Sequence, residues 1–210
     1  MTEVKSPLFF IWIYITFVTM EKIIRQATIE ESAFIAQAIL LALGMNLDNL
    51  EEESNWGDDS LILFENLARR EDSQYSYKNT LVCEVAGEIA GVLIAYDGAM
   101  LSPLREALFN EIERMNLVSV TGLGDETEPG EYYIDSLTVF EEFRCKGVAT
   151  NLINRAVEEA RKRNIQKVGL LVDKENPNAA KLYTKLGFKY VKDKMFLGHE
   201  MEHLQKDVIG

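Results

Sequence analysis

The 210-residue sequence predicts a single α+β domain of three layers (α/β/α), with helices on both faces of one mixed sheet. Three observations carry that expectation. Strand-length apolar runs alternate along the chain with stretches of helical apolar spacing. Two of the runs, Thr80–Val85 and Ile89–Tyr96, are joined by Ala86-Gly87-Glu88, the signature of an antiparallel hairpin. A third, Val168–Val172, is apolar throughout, as a strand covered on both faces must be.

Taken in order, Ile23–Ala27 reads as the first strand. Thr28 and Glu31 stand at capping-box spacing, and Phe34, Ile35, Ala38, Ile39, Ala42 and Leu43 follow at helical spacing up to Gly44. Leu47–Ser60 is acidic and reads as loop, and Leu61, Phe64, Leu67 and Ala68 mark a second helix. After the hairpin, Ser102-Pro103 offers an N-cap and an N1 proline to a helix carrying Leu104, Leu108, Ile112 and Met115. Gly122–Glu131 is a polar, acidic stretch expected to be solvated loop. Tyr132–Phe140 is the next strand, and Ala149, Leu152, Ile153, Ala156, Val157 and Ala160 stripe a long helix ending near Arg163. Beyond Val172, a helix over Asn178–Leu186 stops at Gly187, and strands at Phe188–Val191 and Lys194–Met201 close the chain.

The formal net charge is -12. A surface so acidic repels a phosphate backbone, which argues against nucleic-acid binding, and it serves solubility first. The two cysteines, Cys83 and Cys145, form no disulfide framework or metal-ligand spacing, so a reducing, cytoplasmic setting and no metal are expected. His199 and His203 are four apart but follow a strand-like segment, and they read as two polar residues near the C-terminus. Leu8–Val18 is almost wholly apolar, yet shorter than the roughly 20 residues of a membrane-spanning helix. Lacking a small-residue cleavage pattern, it is also a weak signal peptide. Residues 1–19 are therefore expected to be an apolar extension or a mis-assigned start, with the domain occupying 20–210 and opening at Met20.

The sharpest local feature is the turn Arg144-Cys145-Lys146-Gly147-Val148-Ala149, followed by Thr150, between a strand and the long helix. A helix N-terminus presents unpaired N–H groups and the positive end of its dipole, which suits a pyrophosphate. Gly147 lets the backbone approach an anion closely, Ala149 keeps the next turn slim, and Arg144 and Lys146 add positive charge. The blander reading is an ordinary strand–helix connection. A dinucleotide-binding turn needs three glycines on the first strand of a βαβ unit, and a P-loop needs Gly-Lys-Ser/Thr; neither is present.

A second feature stands downstream. Leu170–Asn176 leaves a strand, and Asn178–Phe188 follows Pro177 with Ala179, Leu182, Tyr183, Gly187 and Phe188 in fixed spacing. Here the chain resembles the GNAT (GCN5-related N-acetyltransferase) superfamily. The pyrophosphate signature of that family, Gln/Arg-x-x-Gly-x-Gly/Ala, is matched by residues 144–149, and its Ala-x-x-Leu-Tyr-x-x-x-Gly-Phe signature by 179–188. The resemblance covers about Ile23 to Met201. It implies a central mixed, mostly antiparallel sheet flanked by helices, with acetyl-CoA as cosubstrate and an amine as acceptor.

By resemblance, Leu137-Thr138-Val139 form a splayed strand whose backbone binds the pantetheine arm, and Asn176 contacts the same arm. Arg144 to Thr150 hold the pyrophosphate. Tyr183 matches the tyrosine near the coenzyme sulfur, a candidate general acid, whose plainer role is a core aromatic beside Ala179. Where some relatives carry a glutamate on the strand before the asparagine, this chain has Leu171, so the base is open. Asp135, placed on one face with Leu137 and Val139, is the first candidate; Glu84, Tyr133 and a water chain are the others. Asp125, Glu126, Glu128 and Glu131 favour a cationic acceptor if they rim its channel. An N-acetyltransferase, monomeric or homodimeric and transferring directly in a ternary complex, leads the readings. A non-catalytic acyl-CoA sensor and a membrane-anchored protein are the alternatives.

Overall fold

A computed structural model describes residues 21–45, 47, 59–117 and 123–208. The apolar segment 1–19 and most of the acidic stretch 47–60 fall outside the described residues. Seven strands form one sheet: β1 (Lys22–Gln26), β2 (Thr80–Val85), β3 (Glu88–Asp97), β4 (Glu131–Val139), β5 (Lys167–Asp173), β6 (Lys189–Phe196) and β7 (His199–Asp207). Their order is β1-β2-β3-β4-β5-β7-β6. Only β4 and β5 run parallel; every other pairing is antiparallel. The helices are α1 (Ser32–Ala42), α2 (Asp59–Arg69), α3 (Leu101–Arg114), α4 (Val148–Lys162) and α5 (Pro177–Lys185). Among the described residues no helix is long and apolar enough to cross a membrane.

Alternation along the strands builds two cores. Leu81, Cys83, Val85, Leu93 and Ala95 face α4, where they meet Val148, Leu152, Ile153, Ala156 and Ala160. Val82, Val92 and Ile94 face the other way, onto Ile35, Ile39 and Leu40 of α1, Leu63 and Leu67 of α2, and Leu108 and Ile112 of α3. Each large aliphatic side chain buried in this way contributes about 1.5–3 kcal/mol, so the six buried residues of α4 fix that helix firmly on the sheet.

Several expectations need correction. On α1 the buried face is Ile35, Ala36, Ala38, Ile39 and Leu40, while Phe34 and Leu43 are exposed. The Thr28–Glu31 box forms, but over a single 3-10 turn, Ile29–Glu31. Ser102 is not an N-cap: α3 starts at Leu101 behind a 3-10 turn, Gly98–Met100, that Asp97 caps through the Ala99 N–H at 3.0 Å. Pro103 then sits in the first helical turn, where its missing N–H costs nothing. The last hairpin turns at Leu197-Gly198, and its polar Lys192-Asp193-Lys194 lies within β6. That strand is the exposed edge of the sheet, so its polarity reflects solvent, not a turn.

The acidic stretch before β4 is only partly the solvated loop expected: Gly124, Asp125, Pro129 and Gly130 are exposed, but two of its carboxylates are withdrawn. Glu126 and Glu131 are 2% and 1% exposed. His203, likewise fully buried on β7, bonds the Glu131 carboxylate through Nε2 at 2.9 Å. Gln205 Nε2 and Thr127 Oγ1 donate to the same carboxylate at 2.7 and 2.6 Å. Gly169 on β5 makes the space: a Cβ there would lie 1.9 Å from Glu131 Oε2. Burial pushes the Glu131 carboxyl up, but the bonds from His203, Thr127 and Gln205 outweigh it and hold it below its usual range.

Gly169→Ala should therefore cost about 3–5 kcal/mol, the range for stranding a buried charge, or roughly 6–20 °C in thermal midpoint for a domain of this size. The depressed folded value stabilises above the ordinary glutamate range, and that stability is lost as pH falls through the folded value. The gap between variant and parent should accordingly narrow on acidification. Equal midpoints at neutral pH would mean that the carboxylate is not seated against Gly169.

Candidate active site

The site begins where β4 leaves β5. The parallel pairing runs from Glu131–Lys167 to Ile134–Leu170 and ends there, although β4 continues to Val139 and β5 to Asp173. On its other side β4 stays paired with β3 as far as Val139–Gly91. Phe140 N–H donates to Ala90 O at 3.1 Å, which makes 140 and 90 a hydrogen-bonded pair. By alternation Thr138 and Val92 form the next such pair, while Leu137 and Val139 turn their N–H and C=O toward the gap left by β5. Thr138 is thus engaged away from the gap, and its hydroxyl donates to Ala38 O of α1 at 2.7 Å. The splay expected of the strand is present, with its open groups on Leu137 and Val139.

At the end of that strand the chain enters the turn. Cys145 and Gly147 both adopt left-handed conformations, φ 59° and 79°. For a residue with a Cβ such a conformation costs on the order of 1–3 kcal/mol, so Cys145 marks a turn held by its surroundings. Gly147 is the N-cap of α4 and no side chain caps the helix. The N–H groups of Val148, Ala149 and Thr150 therefore lack intrahelical acceptors. Nothing lies within 4 Å of where a Gly147 Cβ would stand. Arg144, Cys145 and Lys146 are exposed around this opening, whereas the Val148 side chain is 1% exposed and anchors the turn in the core. Uncapped donors, open space and two flanking cations fit a pyrophosphate.

Across the gap, α5 starts at Asn176, whose side chain accepts the Ala179 N–H at 3.1 Å. Asn176 is thus the helix cap, and it also lines the gap with Ala179 and Tyr183. Tyr183 stacks edge-on to Phe188, ring centroids 5.8 Å apart. Burial raises its phenol to about 12, so it stays protonated at neutral pH.

A cavity of about 530 Å³ is lined by Leu137, Asn176, Ala179 and Tyr183 and continues to α1, α2 and α3 at Ile39, Phe64 and Leu108. Asp135 lines it, on a β-bulge: Ile94 pairs with Ser136 and Ala95 with Ile134, leaving Asp135 as the extra residue. The bulge shifts the phase of β4. Ile134 and Leu137 both pack toward α4, and Asp135 points to the opposite side, not to the face of Leu137 and Val139 as its position in the sequence suggests. There its carboxylate accepts from Tyr96 Oη at 3.0 Å, Gln74 Nε2 at 3.2 Å and Ser136 Oγ at 3.0 Å. Burial raises the Asp135 carboxyl above its usual value, against the lowering effect of these bonds and of Arg105. Beside it, Glu126 forms a buried ion pair with Arg105 and accepts from Tyr96 Oη at 3.2 Å.

The fold thus gathers Leu137, Tyr183, Asn176, Ala179 and Asp135 around one cavity, with Val139 and the 144–150 turn at the end of the same splayed strand and off the cavity wall. Glu84 lies elsewhere, tied to Arg25 in an ion pair on β2. Tyr133 lines the cavity, but burial pushes its phenol well above the usual range, against a role as base. Of the acidic residues Asp125, Glu126, Glu128 and Glu131 that could rim an acceptor channel, Glu126 lines the cavity and the other three do not. Gln74, Tyr96 and Arg105 were not singled out from sequence. Arg105 alone left a signal: it falls at helical spacing between Leu101 and Leu108, where a core residue is expected.

Comparison with known proteins agrees with this geometry. The model for the "Acetyltransferase (GNAT) family" matches residues 43–188. An acetyltransferase of Agrobacterium fabrum is 36% identical over 106 residues, 50% of this chain and 76% of that protein. An uncharacterized N-acetyltransferase of Methanocaldococcus jannaschii is 32% identical over 108 residues, 51% of this chain but 38% of its own length. Among solved structures, an acetyltransferase superposes with a TM-score of 0.73 at 35% identity, over 89% of this chain and 100% of its own. An N-acetyltransferase from Staphylococcus aureus Mu50 does so with 0.72 at 28% identity, over 88% and 100%. The splayed sheet, the uncapped turn and the match across 43–188 assign the chain to the GNAT family of acetyltransferases.

Proposed function

We propose that the protein transfers an acetyl group from acetyl-CoA to a primary amine, directly and within a ternary complex. The observation that carries this reading is the parting of β4 and β5 after Ile134–Leu170. It opens main-chain groups, a protonated phenol and a raised carboxylate onto one cavity, and the uncapped helix terminus follows at the end of the same strand. Acetyl-CoA supplies the activated thioester, and every other requirement falls to the chain. Arg144, Lys146 and the N–H groups of Val148 to Thr150 hold the pyrophosphate. Leu137 and Val139 present N–H groups able to polarise the acyl carbonyl.

Asp135 takes one proton from the acceptor ammonium and passes it to solvent, exposing the lone pair. The nitrogen then bonds the acetyl carbon as the carbon–sulfur bond breaks. Tyr183 gives the departing thiolate a proton, and the proton lost from nitrogen on amide formation restores the balance. The sum is amide, free thiol and one proton. Exposed Cys145 sits at the pyrophosphate turn and does not line the cavity, which speaks against an acyl-cysteine route. Both thiols are free, in keeping with a reducing compartment such as the cytoplasm.

Thiol release from acetyl-CoA in the presence of amines tests the reading, since a sensor on the same fold would bind coenzyme and release none. Gly147→Asp adds bulk and a negative charge at the turn and should abolish coenzyme binding; its Cβ in the left-handed conformation costs about 1–3 kcal/mol, or roughly 2–12 °C in thermal midpoint, so the variant stays folded, and unaltered calorimetric affinity would relocate the pyrophosphate. Tyr183→Phe should reduce kcat on the order of 100-fold while leaving coenzyme affinity nearly unchanged; retained kcat would remove the acid role.

Asp135 must be ionised to act, so kcat/KM should rise with pH through a value above the usual 3.8. Asp135→Asn should abolish that acidic limb with most of the rate. A raised folded value also means that ionised Asp135 costs stability once pH passes it, whereas the benefit of the protonated form is complete below 3.8. The asparagine variant should therefore melt higher at neutral pH, with the difference fading toward pH 4. Full activity in this variant, or a lower midpoint, would contradict the assignment.

A further inference from the structure

The acceptor side of the cavity carries more negative charge than it balances. Two carboxylates, Asp135 and Glu126, stand near one guanidinium. Arg105 is paired with Glu126, and its other contacts are Leu123 O at 3.5 Å, Gly124 O at 3.2 Å and the exposed Asp125 carboxylate at 3.4 Å. Among the described residues Asp135 has no cationic partner in direct contact: Ser136, Tyr96 and Gln74 are its donors and all are neutral.

Hydrogens are also one short. Tyr96 Oη and Gln74 Nε2 each reach both carboxylates, and Ser136 Oγ reaches Asp135, which makes five contacts. A phenol, an amide and a hydroxyl bring four hydrogens in total. Gln74 is fixed by this arrangement, because its amide oxygen cannot face the carboxylates. That oxygen is buried without a partner, in a side chain of a residue only 3% exposed. Three observations thus ask for the same thing, a compact donor with one positive charge.

The remainder of this side is apolar, with Ile39, Phe64, Leu108 and Leu123 among its walls. The third carboxylate on the cavity, Asp173, lies on the β5 side and is already engaged by His199 Nδ1 at 3.0 Å and the Glu175 N–H at 2.8 Å. Among the described residues, a second ammonium on the acceptor would meet the apolar wall without a free counter-charge.

We propose, building on the reading of the chain as an amine acetyltransferase, that the acceptor is a primary monoamine on an apolar alkyl or aryl body, its nitrogen seated between the Asp135 carboxylate and the Gln74 amide oxygen. One ammonium balances Asp135, supplies the missing hydrogen and donates to Gln74. The body removes apolar surface from water against α1, α2 and α3. Diamines and polyamines are selected against by the charge they would bury, and alcohols by bringing one hydrogen and no charge.

Full-length protein with saturating acetyl-CoA should be assayed for thiol release with hexylamine, 1,6-diaminohexane and 1-hexanol, and coenzyme binding followed by calorimetry. Hexylamine should exceed the diamine in kcat/KM by about 10-fold or more, with no turnover of hexanol. A diamine equal to or better than hexylamine, or acylation of hexanol, overturns the proposal and leaves the transferase reading intact. Thiol release with none of them while acetyl-CoA still binds removes that reading, and this proposal with it. Gln74→Leu should raise the KM for hexylamine about 10-fold, the loss of one hydrogen bond to a charged donor, at unchanged coenzyme affinity; an unchanged KM removes Gln74 from the seat.

Discussion

The structure depends on one seam, the short parallel pairing of β4 with β5. A strand interior must satisfy every main-chain N–H and C=O. On β4 that obligation is met by two neighbours up to Ile134 and by one neighbour beyond it. The groups of Leu137 and Val139 are left over, and on the proposed reading an extended ligand arm laid along them would complete the sheet. The seam can open at one end because it is pinned at the other. Glu131 on β4, received into the space beside Gly169 of β5 and bonded by His203 and Gln205 of β7, ties three adjacent strands at the closed end.

Two further devices convert the open seam into a site. The bulge at Asp135 lets β4 present Leu137 and Val139 to the α4 side while sending a carboxylate to the other. On the proposed reading, the single strand would serve donor and acceptor from opposite faces. Helix α4 also has two tasks. Its stripe from Val148 to Ala160 is buried against the sheet, and that anchoring leaves its first turn free of any side-chain cap. A capped terminus would be more stable by about 1 kcal/mol; the open one keeps its donors for an anion.

Sequence made the donor half legible and hid the acceptor half, for a physical reason. Arg144, Gly147 and Ala149, with Ala179, Tyr183 and Gly187, act through local geometry: a turn, a helix start, a helix stop. Local geometry is written in consecutive residues. Asp135 depends on a bulge, which is defined by the partner strand and invisible in β4 alone. Glu126, Gln74 and Tyr96 converge from three separate segments, and nothing in Ser73-Gln74-Tyr75 distinguishes it from surface loop. Glu131 and His203, 72 residues apart, look like solvated charges until β4, β5 and β7 are placed side by side. The edge strand β6 misled in the opposite direction, since its Lys-Asp-Lys imitates a turn while facing water.

The acidity of the chain bears on how a polyanionic coenzyme approaches it. A net charge of -12 opposes that approach at long range. At physiological ionic strength the opposition decays over about 8 Å, a distance comparable to the turn itself. On the proposed reading, the coenzyme would meet exposed Arg144 and Lys146 and the uncapped N–H groups of α4 within that distance. Local potential therefore governs capture, and the global charge is free to serve solubility. The two carboxylates that matter chemically, Asp135 and Glu126, are the ones withdrawn from that surface. Burial raises Asp135 and keeps it in reach of a proton, and Glu126 is already paired with the neighbouring Arg105, so that Asp135 is the one of the two without a cationic partner among the described residues.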